Sequence, residues 1–410
     1  MTSEEPVIPQ KRSIEDDKEE KDEKHVYQTR STTTTSIPNN QQDQSITKRK
    51  NIIINKYKPI ISYKPIDFEK FNAPLSRASF NPEFHNIEDV PFNTRRGFQY
   101  SPCRPNPILP VLKFSSSDLP PYTLSLSYFD RANGTALSED YNSVITDRGW
   151  LSARTNTPIQ EGKVYFEFNI INSNETSHVR IGIGRREASI EGPIGFDAYG
   201  YGLRDKTGQK LHLSRPLNFM KEGFKSGDVI GMLVELPSVE FQDVIRDQIA
   251  IRYRNRLYFE KFDYGPTSKM EHLLNPVTVF GEKAIPDLNP FKPDSLPGSN
   301  IKVYKNGEFI GTAFEDLYAF LPPYSEQKNN INKLNNNGTL GYYPTISVFK
   351  GGIAQINPGP EFKFKPQDLD SDVKEFHQLY NEKIADDIVW DIIDEMEAEE
   401  IQLAIDTSNQ

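Results

Sequence analysis

Short runs of alternating apolar and polar residues, separated by turn residues, fill the middle of this chain. Val164, Phe166, Phe168 and Ile170 alternate with more polar neighbours, and Val179, Ile181 and Ile183 repeat the alternation after a polar turn. Successive side chains on a strand point to opposite faces, so each run predicts a strand with one face turned to a core. Ile230, Met232, Val234 and Leu236 predict another, as do Ile249, Ile251 and Tyr253. Turn residues mark the ends. Asn133-Gly134 predicts a tight turn, Lys305-Asn-Gly-Glu308 a two-residue hairpin, and Gly351-Gly352 a second hairpin between Ile346-Ser-Val-Phe and Ile353-Ala-Gln-Ile. With almost no helical periodicity here, the expected class is all-β: an antiparallel β-sandwich over 123–366.

The pattern changes after Pro366. Asp372 followed by Glu375 has capping-box spacing, and no Gly or Pro interrupts Val373 to about Leu403, which predicts a C-terminal amphipathic α-helix over 371–405. Ile384, Ile388, Val389, Ile392, Ile393 and Met396 fall on one arc, with Asp387, Asp391 and Asp394 on the other side. An apolar arc on a terminal helix must be covered. Packing on the sandwich and binding another protein are equally open on the residues alone.

Residues 1–52 are polar and charged, including Glu15-Asp-Asp-Lys-Glu-Glu-Lys-Asp-Glu-Lys24, and bury too little apolar surface to offset ordering entropy, so a disordered tail is expected. Lys48, Arg49 and Lys50 form a candidate nuclear-import signal or DNA patch, against the alternative of a solvated charge run. Residues 53–122 are rich in Pro, Tyr and Phe and predict an irregular arm packed on the sandwich through its aromatics. The stretches 238–248 and 264–299, the latter with Pro286, Pro290, Pro293 and Pro297, predict surface insertions, and Asn329 to Asn337 a further polar loop.

Composition narrows the function. The net charge of −10 argues against a protein that coats nucleic acid over its whole surface. Cys103 is the sole cysteine, which excludes an intrachain disulfide and a cysteine-rich zinc module within these 410 residues. The first residues have no apolar core of a signal peptide, and no run approaches the length of a membrane span. The Asn-x-Thr sequons at Asn133, Asn174 and Asn337 are therefore read as chance. No catalytic residue, metal or cofactor is expected: the six histidines lack ligand spacing, and Gly182-Ile-Gly184 has Glu187 in place of a third glycine and no βαβ context. The chemistry on offer is recognition. Arg180 points away from Val179 and Ile181, and Arg204 follows a loop dense in Gly and aromatics, so two planar guanidinium forks are available to carboxylate or phosphate. Pairing of both with surface acids is the alternative that the residues leave open.

Six islands occur in order: Gly-Lys-Val-Tyr-Phe-Glu-Phe at 162–168, Val179-Arg-Ile-Gly-Ile-Gly, Pro193-Ile-Gly-Phe-Asp, Leu257-Tyr-Phe-Glu-Lys, Val303-Tyr-Lys-Asn-Gly and Tyr343-Pro-Thr-Ile-Ser-Val-Phe-Lys. Across 123–365 they resemble the SPRY domain, specifically that of the Ash-two-like (yeast Bre-two) subunits of COMPASS/MLL-type histone methyltransferase complexes. The resemblance implies a nuclear, non-catalytic scaffold for methylation of lysine 4 of the H-three tail. In that family the SPRY pocket grips an acidic segment of a WD-repeat subunit, the pair holds the SET-domain subunit, and a terminal helix inserts into a Dumpy-thirty-type dimer. Nucleosome contact would be indirect or through the weak basic patch, and no membrane partner is expected. The matching pocket positions are Trp150, Arg180, Pro193, Phe196 and Arg204, with Trp150 and Phe196 where the family leads one to expect tyrosines. On the helix, Ile384, Ile388 and Ile392 would be anchors and Val389 and Ile393 supports. Losing the helix is expected to weaken attachment without unfolding the sandwich. Two other classes stay in view: a SPRY substrate receptor of a ubiquitin ligase, and a sandwich-fold carbohydrate hydrolase or lectin.

Overall fold

The computed structural model describes residues 76–86, 97–103, 109, 112 and 121–408, apart from 239–242, 247, 254–255 and 281–282. The predicted tail, with Lys48, Arg49 and Lys50, lies outside the described residues, as does most of the predicted arm. Two antiparallel sheets face each other. One runs β10 (Arg215–Leu217), β9 (Lys210–His212), β8 (Gly200–Arg204), β7 (His178–Gly184), β18 (Tyr343–Phe349), β5 (Leu151–Thr155) and β2 (Leu126–Arg131). The other runs β17 (Glu308–Glu315), β16 (Asn300–Lys305), β11 (Val229–Leu236), β6 (Gly162–Asn172), β19 (Ile353–Asn357), β4 (Ser143–Ile145) and β3 (Ala136–Leu137), with β20 (Lys374–Glu375) pairing parallel to β6. A small third sheet orders β1 (Phe98–Pro102), β13 (Arg256–Phe262) and β12 (Gln248–Tyr253), and β14 (Val277–Phe280) pairs only with β15 (Lys283–Pro286). The helices among the described residues are α1 (Ser268–His272) and α2 (Phe376–Ser408).

The alternating runs fill the space between the sheets. Val164, Phe166, Phe168 and Ile170 from β6 and Ile230, Met232, Val234 and Leu236 from β11 meet Val179, Ile181 and Ile183 from β7 and Ile346 and Val348 from β18 in one core. Each such side chain contributes about 1.5–3 kcal/mol on burial. The other face of β6 is buried too. Tyr165, Leu233 and Tyr304 are covered by Phe362, Leu369 and Val373, so the segment after β19 roofs the sheet. Glu167 fixes that roof: its carboxylate accepts the N–H groups of Lys363 (2.9 Å) and Phe364 (2.8 Å) and the Asn357 amide (3.0 Å).

Several expectations need correction. Asn306 and Gly307, with φ of 51° and 84°, do make the two-residue hairpin that pairs Lys305 with Glu308. Lys350 and Gly351 also turn with positive φ, yet β18 and β19 belong to different sheets, so this turn is no hairpin. It carries the chain across the sandwich, and Gly352 is required because a Cβ there would lie 2.1 Å from the His178 carbonyl oxygen. Asn133-Gly134 is the predicted turn, closed by Thr135 N–H to Ala132 O, and likewise joins strands of opposite sheets. Ile251 and Tyr253 pack not in the main core but in the aromatic cluster of Tyr100, Tyr128 and Tyr258. Where an irregular arm was expected, Phe98–Pro102 is a strand paired to β13.

The helix also starts later than its pattern predicts. Asp372 pairs with Lys163 at 3.1 Å instead of capping, β20 intervenes, and Glu375 N–H donates to Gln378 Oε1 at 3.2 Å to begin α2. Its first turn is part of the sandwich. Phe376 is fully buried 5.4 Å from the Phe166 ring, and Tyr380 is 3% exposed in the same core, so the helix is not the separable appendage that was expected.

Candidate partner-binding site

Alternation on β7 sends Val179, Ile181 and Ile183 inward and His178, Arg180 and Gly182 to the outer face of the seven-stranded sheet. That face is not open to solvent at Arg180, because the loop 185–199 lies on it. Ser347 Oγ accepts the Ile194 N–H at 2.8 Å, Ser152 Oγ donates to Gly192 O at 2.6 Å, and the two hydroxyls are 2.7 Å apart. Glycine allows the close fit: a Cβ on Gly202 would lie 2.5 Å from Ile194 O. Arg154 secures the base of the loop, donating to the carbonyls of Arg185 (2.7 Å) and Ala188 (2.8 Å) while binding both oxygens of Asp130 (2.8 and 2.7 Å).

Arg180 lies between this loop and an aromatic floor. Its guanidinium sits 5.1 Å over the Trp150 ring and donates to Ile194 O at 3.3 Å, its Nε has no hydrogen-bond partner, and the residue is 7% exposed. Arg204 stands opposite it in register on β8 and donates to Gln209 Oε1 at 3.1 Å. Arg154 and Arg185 each hold a carboxylate, but among the described residues neither Arg180 nor Arg204 forms an ion pair with one. Asp205 attracts Arg180 only at a distance, since its carboxylate is taken by Ser173 Oγ (2.7 Å), Val179 N–H (2.9 Å) and His178 (3.1 Å). Burial first, and the like charge of Arg204 second, push the Arg180 guanidinium down to about 10. A desolvated cation without a counter-ion costs several kcal/mol, which an incoming carboxylate or phosphate would offset.

The structure joins four of the five predicted pocket residues. Trp150 contacts Arg180, Arg204 faces it, and half-buried Pro193 precedes the Ile194 carbonyl that Arg180 bonds. Phe196 stands apart: it is 45% exposed and borders a groove of about 1090 Å³ lined also by Arg186, Tyr199, Lys261 and Trp390, not by Arg180 or Trp150. Sequence reasoning missed Phe349, whose ring lies 5.4 Å from Trp150 and 6.1 Å from His178 and extends the floor. Its place in an alternating strand, two residues after Ser347, is the signal that could have found it. Missed as well were Ser152 and Ser347, which hold the loop.

On α2, the acidic stripe faces the body and the apolar arc faces out. Asp391 and Asp394 are buried, whereas Val389 is 55%, Ile392 37%, Ile393 38% and Met396 61% exposed. Ile388 is half-buried, and Ile384, expected as an anchor for a partner, packs against the sandwich core. Of the acids predicted on the far side, Asp387 and Asp391 face inward because Arg246 lies beneath them. Val389, Ile392, Ile393 and Met396 thus leave an apolar arc exposed on the outer side of α2.

The family model for the SPRY domain matches residues 163–249. The chain is 40% identical over 83% of its length to the Set1 complex component ash2 of Schizosaccharomyces pombe, covering 52% of that protein. It is 30% identical over 77% of its length to the COMPASS component BRE2 of Saccharomyces cerevisiae, covering 89% of that protein. This chain belongs to the Ash2/Bre2 family. A Drosophila melanogaster relative, the Set1/Ash2 histone methyltransferase complex subunit ASH2, is 27% identical over 74% of the chain. The chain spans about half the length of the fission-yeast and fly relatives it matches. Within the Ash2/Bre2 family frame, the SPRY match covers β6 to the start of β12 and so contains Arg180, the loop that covers it, and Arg204.

Proposed function

We propose that this chain is a non-catalytic scaffold subunit of a COMPASS-type histone H3 lysine-4 methyltransferase complex. The observation that carries the pocket half of the reading is Arg180, a nearly buried guanidinium beside Arg204 with no carboxylate of its own. An acidic segment of a WD-repeat subunit supplies the missing charge, with Trp150 and Phe349 as its apolar floor. The outward arc of α2 takes a Dumpy-thirty-type dimer, and the two attachments on one chain reinforce each other through linkage. Together they hold the catalytic SET-domain subunit in place in the nucleus.

The test is affinity purification of the tagged full chain from its own cells beside Arg180→Ala and a chain ending at Lys383. The reading expects SET-domain, WD-repeat and Dumpy-thirty-type proteins with the full chain, loss of the WD-repeat subunit with Arg180→Ala, and loss of the dimer with the truncation. Recovery of a ubiquitin-ligase adaptor in their place would overturn it.

A further inference from the structure

Beyond Ile384, the contacts that hold α2 to the body include a seam of charge. Asp387 and Asp391, one turn apart, both face Arg246: Nη2 is 2.7 Å from Asp387 Oδ1 and Nη1 is 3.6 Å from Asp391 Oδ1. The Arg246 and Asp391 side chains are 6% and 4% exposed, so this pair is well inside the molecule. Lys261 on β13 adds a second cation to the seam, and Lys383 of the helix lies 3.1 Å from Asp387. Arg246 is itself fixed. The Ile245 N–H beside it donates to Asn336 O at 2.8 Å, and Val244 bridges to Asn336.

This seam opposes what apolar burial alone would choose. A helix carrying Ile388, Val389, Ile392, Ile393 and Met396 on one arc gains most by turning that arc to the body. At 3.6 residues per turn, Asp387 and Asp391 lie about half a turn away from Val389 and Ile393, so one orientation excludes the other. Buried ion pairs add little net stability, because desolvation offsets attraction, and their best-attested use is to fix register or orientation.

We propose that Arg246, assisted by Lys261, is an orientation clamp that sets the roll of α2 and holds its apolar arc outward for a helical partner. The proposal rests on the reading of α2 as a partner helix, but its first readout needs no partner. Arg246 is a positioning residue and lies on the opposite side of the helix from the arc. Without its charge the helix is free to roll or lift, and if the binding-competent orientation falls to about one tenth of the population, apparent affinity falls about tenfold.

The experiment uses the full chain with Arg246→Met, Asp391→Asn, and the charge-retaining Arg246→Lys. Backbone hydrogen exchange across 384–396 is measured alone, and affinity is measured for a purified Dumpy-thirty-type dimer. Arg246→Met and Asp391→Asn are expected to speed exchange and weaken binding about tenfold, and Arg246→Lys, which keeps the cation, to leave both near the wild type. Unchanged exchange and affinity in Arg246→Met and Asp391→Asn would overturn the clamp. Exchange that responds in a chain whose wild type does not bind the dimer would support the clamp and overturn the partner reading.

Discussion

Where the chain can be cut without harming the sandwich follows from the first two turns of α2. Ending it at Lys365 removes Phe376, which is fully buried against Phe166, and Tyr380, which is 3% exposed in the same core. Truncating one large aromatic to Ala costs about 3–5 kcal/mol. Losing both, together with β20 and the Leu369 and Val373 cover over Tyr165, therefore costs more than about 5 kcal/mol, a large part of the roughly 5–15 kcal/mol typical of a whole domain. A chain ending at Lys383 keeps these groups and loses half-buried Ile384 and a seam that becomes solvated, at about 1 kcal/mol. At roughly 2–4 °C per kcal/mol, the first truncation is expected to melt more than about 10 °C below full length and the second within about 4 °C. Thermal melts followed by near-ultraviolet dichroism decide it. Equal melting temperatures for the two truncations would refute the assignment of Phe376 to the core, and Phe376→Ala in the full chain, expected to cost about 3–5 kcal/mol, tests that residue alone.

Arg180→Met is expected to leave the sandwich as stable or more so, because it removes a desolvated charge, while weakening an acidic peptide by about 2 kcal/mol or more in a titration; a large loss of melting temperature would place Arg180 in the structure instead. Ser347→Ala strands the buried Ile194 N–H and is expected to cost about 1–3 kcal/mol and loosen the loop, read as faster exchange at Ile194 and Gly195. Burial disfavours the Asp387 carboxylate, but Lys383, Arg246 and Lys261 hold it below its ordinary range. A depressed carboxylate gives stability that is present above the unfolded value and is lost as pH falls through the folded one. In a Trp150→Phe chain, Trp390 fluorescence should therefore change in acid, below the ordinary carboxylate range, and separately as the buried Lys261, pushed down to about 8, loses its proton; an acid transition at or above the ordinary carboxylate value would count against the seam.

What the sequence disclosed and what it hid differ for physical reasons. The strands were legible because Val164 to Ile170 and Ile230 to Leu236 write their burial with period two. Sheet membership was not, because Gly351-Gly352 and Asn133-Gly134 have the composition of hairpin turns while their neighbours pair elsewhere. Arg180 and Arg204 were legible as outward-facing cations, but the loop that buries Arg180 depends on long-range bonds from Ser152 and Ser347. Phe196 was grouped with them through family resemblance, and the fold carries it to a different groove.

The orientation of α2 shows most clearly why periodicity alone falls short. Period 3.6 identifies two faces, apolar and acidic, yet it does not say which turns inward, because that depends on the surface beneath. Arg246 comes from a polar insertion and Lys261 from a strand of the third sheet, neither near the helix in sequence. With those cations in place, turning the apolar arc inward would part Arg246 and Lys261 from Asp387 and Asp391, at a cost in lost charge pairing. Turning the acids inward pairs the charges and leaves the apolar arc exposed, a cost that on the proposed reading is recovered when a partner covers it. A sandwich whose arginine pocket also pairs with no carboxylate among the described residues therefore presents two surfaces of opposite character, one cationic and one apolar, and on the proposed reading each is completed by a partner.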